Sequence, residues 1–209
     1  SEEEGKDGAW AAARPREVVG TAFARVGLAG NPSDGYSGQT LSMAISNFRA
    51  RVVLRQSESD EVRFEPHVEA DLIAFASPRA LVRHVDANGY DGGLRLLAAT
   101  LKRFVIMCRE HRVSLRPRAG FVASYETNVP RQRGLAGSSA IVVAMLRALC
   151  ELHGVRVSAA DAADVALAAE RAELKVTAGL QDRVAQTYEG LVFMDFAARK
   201  YERLDEDVA

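Results

Sequence analysis

The stretch Pro130-Arg-Gln-Arg-Gly-Leu-Ala-Gly-Ser-Ser-Ala140 organises the reading of this chain. An alternating segment leads into it: Phe121, Ala123 and Tyr125 fall on one side and Val122, Ser124 and Glu126 on the other, as a half-buried strand requires. A helix leaves it, over Ser138 to His153, with Ile141, Met145, Leu149 and Leu152 on one face and Gly154 as its stop. Between the two, Asn128 to Gly137 has no apolar period. Gly134 and Gly137 admit backbone conformations that other residues resist and let an anion approach the main chain. The helix start offers unpaired N–H groups and the positive end of its dipole, and Ser138 and Ser139 add hydroxyls that suit phosphate or a magnesium ion. These are the physical parts of a nucleotide cradle built without a P-loop lysine. A turn with a serine cap accounts for the stretch taken alone. Neither a Walker sequence nor GxGxxG occurs.

Outward from this centre, the pattern predicts a β-rich run over Gly20 to Gly30 and a loop at Asn31 to Gly35. A strand at Phe48 to Arg55 is expected to form a hairpin with Glu61 to Glu65 across the polar turn Ser57 to Asp60. Val68 to Val85 reads as a helix interrupted near Ser77-Pro78. Tyr90 to His111 is a long helix, since Leu94, Leu97, Leu101, Phe104, Val105 and Cys108 recur at three- and four-residue steps. Ser158 caps a helix from Ala159 to about Leu174, a loop follows at Val176 to Gly179, then a short helix from Leu180 to Tyr188 and a final strand from Gly190 to Phe196. The expected class is α+β, a mixed α/β two-layer domain with a sheet packed against helices; element order leaves the topology open. Residues 1–19, acidic and then Ala-rich, read as a flexible tail and residues 20–209 as one domain.

Composition narrows the function. The net charge is -1, from 27 Lys+Arg against 28 Asp+Glu, so the basic excess of a nucleic-acid binder is missing. The longest apolar stretches fall short of a membrane span, and no signal peptide is read. Cys108 and Cys150 are isolated and His67, His84, His111 and His153 are scattered, which gives no zinc cage and suits a reducing, cytoplasmic setting.

Two further stretches carry chemistry. In Ala169-Glu-Arg-Ala-Glu-Leu-Lys-Val-Thr-Ala-Gly-Leu-Gln-Asp-Arg183, Glu170 sits late in one helix and Asp182 opens the next. Two carboxylates joined by a turn could divide labour, one holding Mg2+ and one orienting or deprotonating a hydroxyl; equally, Glu170 could pair with Lys175 or Arg171, and Asp182 could serve the helix N-terminus. In Arg25-Val-Gly-Leu-Ala-Gly-Asn-Pro-Ser-Asp34, a strand ends in a loop that could present Asn31, Ser33 and Asp34 to a polyhydroxylated ligand, with Arg25 as a fixed positive charge; a capped loop and a solvated arginine is the alternative.

The three stretches, in this order, resemble the GHMP kinases, in which the second motif reads Pro, three residues, Gly-Leu, small residues and Ser-Ser-Ala. Within that family NPSDGYSGQTLS, NGYDGGLRLL, TNVPRQRGLAGSSAIV and AGLQDRVAQTYEGLVFMDF are most similar to the glucuronokinase branch, whose members phosphorylate the anomeric hydroxyl of glucuronic acid with ATP. The resemblance spans about Phe23 to Phe196. It implies ATP and Mg2+ as cofactors and an N-terminal ATP-binding domain over residues 20–209. Pro130, Arg133, Gly134, Leu135, Ala136, Gly137, Ser138, Ser139 and Ala140 would bind the nucleotide, and Ser139 and Glu170 the metal. Asp182 would act as base or orienting group with Arg25 beside it; Asn31, Asp34 and Arg131 would bind the sugar acid. The family's third glycine-rich motif belongs to a C-terminal domain and does not occur in these 209 residues, so a second chain or segment is expected to supply it. A sibling kinase of galacturonate, fucose or another sugar, and a non-catalytic half-kinase acting as a scaffold, remain as alternatives.

Overall fold

The computed structural model of the chain describes residues 17–57, 59–67, 71 and 92–205. One long strand organises it. Strand β2 (Gln39–Gln56) is flanked along almost its whole length by β1 (Glu17–Ala29), antiparallel, from Glu17 opposite Arg55 to Ala29 opposite Leu41. Its other edge is shared: β4 (Phe121–Thr127) pairs with residues 50–56 and β5 (Leu191–Asp195) with residues 39–43, both antiparallel. β3 (Val62–Phe64) adds to β4 and β6 (Lys200–Arg203) to β5. Among the described residues the sheet therefore reads β3-β4-β2-β5-β6, with β1 on β2.

The expected hairpin does not form. β3 lies parallel to β4 instead of beside β2. Residues 50–56 of β2 already have β1 on one edge and β4 on the other, so Glu61 to Glu65 finds its hydrogen-bond partners on the free edge of β4. β2 also begins nine residues before the predicted strand, and β6 was not predicted. The early part of β2 turns Thr40 and Ser42 inward and leaves Leu41 and Met43 on the more open side, so its buried positions are polar there. Glu17, Val18 and Val19, read as tail, open β1. The rest of that tail, and the helix over Val68 to Val85 except Asp71, lie outside the described residues.

Among the described residues, α1 (Gly93–Glu110), α2 (Gly137–His153), α3 (Ala159–Ala168) and α4 (Gln181–Tyr188) build the helical layer: α2 and α4 lie on the sheet, and α1 and α3 pack on them from the other side. The inward residues of the first half of β1 are Val18, Gly20, Ala22 and Ala24, nearly all small, so α2 settles directly on the strand. At Gly20 a Cβ would run into the Ala144 carbonyl oxygen, which makes glycine a packing requirement. The periodicity predicts one apolar face for α2, yet Ala140 through Leu146 are all buried, because α2 lies between the sheet and the other helices. Truncating a fully buried side chain here, such as Leu149, costs about 2–5 kcal/mol. α2 ends at Gly154 in the left-handed region, φ 66°, and Ser158 caps α3 by accepting from the Asp161 amide at 3.1 Å. The predicted helix from Ala159 splits: after Ala168 it widens into a π turn over Ala169–Glu173. That turn carries Glu170 inside the protein, with no exposed surface.

Candidate active site

Between β4 and α2 the chain makes three left-handed steps, at Gln132 (φ 54°), Gly134 (φ 67°) and Ala136 (φ 60°). For alanine that conformation is unfavourable by about 1–2 kcal/mol, so other contacts must hold it. The Ala136 carbonyl accepts from the Gln186 amide group at 2.9 Å, from Ser139 Oγ at 3.1 Å and from the Ala140 amide at 3.1 Å. From the other side, Arg25 donates to the Gly134 carbonyl at 2.8 Å, and its backbone amide reaches the Leu135 carbonyl at 3.3 Å. The loop is thus gripped by α4 and by β1. No side chain caps α2, so the amides of its first turn face the loop's concavity, the arrangement that suits an anion.

Beside this loop runs a chain of charged contacts. Asp182, in the first turn of α4, accepts on Oδ1 from Arg25 Nε at 2.7 Å and from a second guanidinium nitrogen of the same arginine. Arg183 lies 3.5 Å from the other oxygen of Asp182 and donates to the Gly179 carbonyl at 2.9 Å. It also holds Oε2 of Glu170, through Nε at 2.8 Å and a second nitrogen. Glu170 Oε1 accepts from Ser138 Oγ at 2.8 Å. Two arginines and two carboxylates therefore alternate from the loop to α4, with a hydroxyl at one end. Arg25 reaches this place from β1 just beyond a register jump, where Phe23 pairs Arg49 but Ala24 pairs Ile45. Such bulges bend a strand and re-aim its side chains.

The loop, Arg25, Glu170 and Asp182 line a cleft of about 440 Å3 together with Leu96, Tyr125, Val129 and Ile141. Burial, and then the Asp71 carboxyl next to it, push the Tyr125 phenol far above its usual range, so it stays protonated; its oxygen accepts from the Gly93 amide at 3.1 Å. A second cleft, about 650 Å3, opens beyond Val176 and is lined by Asp34, Arg171, Lys175, Phe196 and Tyr201 among others.

The structure brings together Arg25, Gly134, Ser138, Glu170 and Asp182. It separates the two serines. Consecutive helical residues point about 100° apart: the Ser138 hydroxyl lies on Glu170, whereas Ser139 is buried and its hydroxyl closes on the Ala136 carbonyl. Ala140 is core, and its amide is used within the helix. Pro130, Arg131, Arg133, Leu135, Ala136 and Gly137 line the first cleft. Asp34 borders the second. Asp34 Oδ2 accepts from the Gln181 amide at 3.3 Å and packs so closely on Gly179 that no Cβ fits there. Asn31 stays exposed, lying over Gly27. Sequence reasoning missed Arg183 and Gln186. Their signal was present: in Gln181–Tyr188 only Val184 and Ala185 supply aliphatic core side chains, yet a helix must bury a face, and Gln181, Arg183 and Gln186 are buried too.

One carboxylate oxygen beside one hydroxyl at a helix mouth fits Mg2+, which keeps few protein ligands and takes the rest from water and phosphate. Among the described residues no group of three or more His, Cys, Asp or Glu gathers as a metal cage.

The family described as GHMP kinases N terminal domain matches residues 97–190. Glucuronokinase 1 of Arabidopsis thaliana is 45% identical over 188 residues, which cover 89% of this chain and 51% of that protein. Among solved structures, galactokinase of Lactococcus lactis complexed with galactose superposes with a TM-score of 0.70 at 18% identity, over 90% of this chain and 47% of its own. A D-glycero-D-manno-heptose 1-phosphate kinase from Bacteriodes thetaiotaomicron gives 0.67 at 24% identity, over 88% and 58%. At these identities the two structures speak for the fold alone. The chain spans about half the length of the curated relatives it matches.

Proposed function

We propose that this chain, whose residues 97–190 match the GHMP kinases N terminal domain and which is 45% identical to a glucuronokinase over 188 residues, forms the phosphate-binding and acceptor-activating part of a sugar kinase that transfers the γ-phosphoryl group of ATP to the anomeric hydroxyl of glucuronate. The observation that carries this reading is the convergence, in one cleft, of an uncapped helix N-terminus, Glu170 with Ser138, and Asp182 with Arg25.

The amides at the start of α2 would hold phosphate oxygens, with the left-handed loop keeping them aligned before any ligand arrives. Glu170 and the Ser138 hydroxyl would hold Mg2+, which when bound offsets charge on the phosphates. Asp182 would orient the acceptor hydroxyl and take its proton as the hydroxyl oxygen bonds to the γ-phosphorus and the bond to the β–γ bridging oxygen breaks, releasing ADP. Arg25 fixes Asp182 and ties it to the Gly134 carbonyl, so the acceptor carboxylate and the phosphate loop keep one spacing. The choice of an acidic sugar is supported by the relative named a glucuronokinase and by the second cleft, where Asp34 would meet hydroxyls and Arg171 and Lys175 a carboxylate.

The test is ADP release by the chain with Mg2+, ATP and glucuronate, against galacturonate, galactose and fucose. Glucuronate-dependent turnover that vanishes in Asp182→Asn supports the reading. ATP binding without turnover on any acceptor supports the binding-module alternative instead.

A further inference from the structure

We propose that Arg183 is a positioning residue that fixes the metal-side carboxylate of Glu170 relative to the acceptor-side carboxylate of Asp182; this rests on the kinase reading above. The placement is unusual for an arginine. Its residue is 3% exposed and Glu170 is fully buried. Nε donates to Glu170 Oε2 at 2.8 Å with a second nitrogen on the same oxygen, while the remaining arm donates to the Gly179 carbonyl at 2.9 Å and stands 3.5 Å from Asp182 Oδ2. One rigid, planar group therefore touches both carboxylates and the turn between their helices.

Two consequences follow from this geometry. Oε2 of Glu170 is fully engaged, so the carboxylate presents only Oε1, on the side where Ser138 sits and the cleft opens. Asp182 has Arg25 on Oδ1 and Arg183 beside Oδ2, which sets the direction from which a hydroxyl reaches it. Carboxylates that ligate a metal depend on such an outer partner for their orientation. Lysine would keep the positive charge but offers a single point donor, unable to span Glu170, Gly179 and Asp182 together. A purely structural arginine, present to offset a buried Glu170, would be satisfied by any arrangement that keeps the charge.

The experiment compares the 209-residue chain with its Arg183→Lys variant. Mn2+ affinity in the presence of ATP is read by electron paramagnetic resonance, metal-free ATP affinity by calorimetry, and folding by thermal melting. The expected result is a folded variant with unchanged metal-free ATP affinity and Mn2+ affinity weakened about 10–100-fold. Unchanged Mn2+ affinity in the folded variant overturns the proposal. If Arg183→Lys does not fold, the wild-type chain carries the test: adding Mg2+ to the ATP complex should shift the Arg183 Nε–H resonance, and a resonance that stays in place overturns the proposal. A wild-type chain that takes up no Mn2+ with ATP overturns the kinase reading itself, and this proposal with it.

Discussion

Replacing Asp182 by asparagine separates chemistry from architecture. Asparagine is isosteric and keeps an Oδ1 that accepts from Arg25 Nε, now 2.7 Å away, so the arginine stays on the Gly134 carbonyl. The change converts a charge-assisted hydrogen bond to one with a neutral acceptor, a difference of about 1–2 kcal/mol. The Asp182 side chain is 24% exposed, and solvent screening trims that to about 1 kcal/mol. For a chain of this length the melting temperature should fall by about 2–4 °C. The amides of the first turn of α2 do not depend on the substituted oxygen, so the Kd for ATP should stay within about threefold, roughly 0.6 kcal/mol. Loss of the proton acceptor should lower kcat by about 10²–10⁴. Calorimetry for ATP, melting, and ADP release under saturating ATP measure the three quantities. A kcat within tenfold of wild type refutes Asp182 as acceptor of the hydroxyl proton. A melting temperature lower by more than about 10 °C, or lost ATP binding, makes the residue structural.

The two serines should part company. Ser138→Ala should raise the Mg2+ concentration needed for half-maximal turnover, whereas Ser139→Ala, which removes a bond to the Ala136 carbonyl, should cost about 1 kcal/mol of stability with the metal requirement little changed; the reverse pattern sinks the assignment. Replacing Arg171 and Lys175 together by glutamine should raise KM for glucuronate about tenfold, as two exposed ion pairs allow, and leave a neutral sugar's KM alone; equal effects on both sugars move the carboxylate site elsewhere. His153 is buried against Phe104, and desolvation, then Arg116, lower its pKa. The unfolded chain therefore takes the proton first: stability is complete above about pH 6.5 and declines as pH falls toward the folded-state value. Melting curves from about pH 8 to about pH 5 should show that decline and should flatten in His153→Gln; a slope unchanged by the substitution assigns it to other groups.

Much of the loop was legible because its geometry is local. The left-handed step at Gly134, the helix opening after Ala136 and the serines at its mouth lie within a few residues of one another, and turn and helix-end preferences act over that range. Helices α1 and α2 announced themselves by periodicity and α3 by its serine cap, for the same reason. The partners that hold the loop were not legible in any local pattern. Arg25 and Asp182, 157 positions apart, were joined only through the family resemblance, and Gln186, 50 positions from Ala136, was not singled out at all.

Local preference also could not decide between edges. Glu61 to Glu65 has the residues of a strand whichever neighbour it takes, and it joined β4 because β2 was already paired on both sides, a fact of the assembled sheet. The order of the two serines shows the same division at the scale of one helix. Adjacent hydroxyls at a helix start are plain in the residue string. Which of them faces Glu170 is settled by how α2 is rotated, and that rotation is imposed by packing Ala140 through Leu146 into the core and by the close approach of Ala144 to Gly20. Residue types along a short segment specify what a backbone will do there; the burial of a helix on a distant strand decides which atoms it shows to the site.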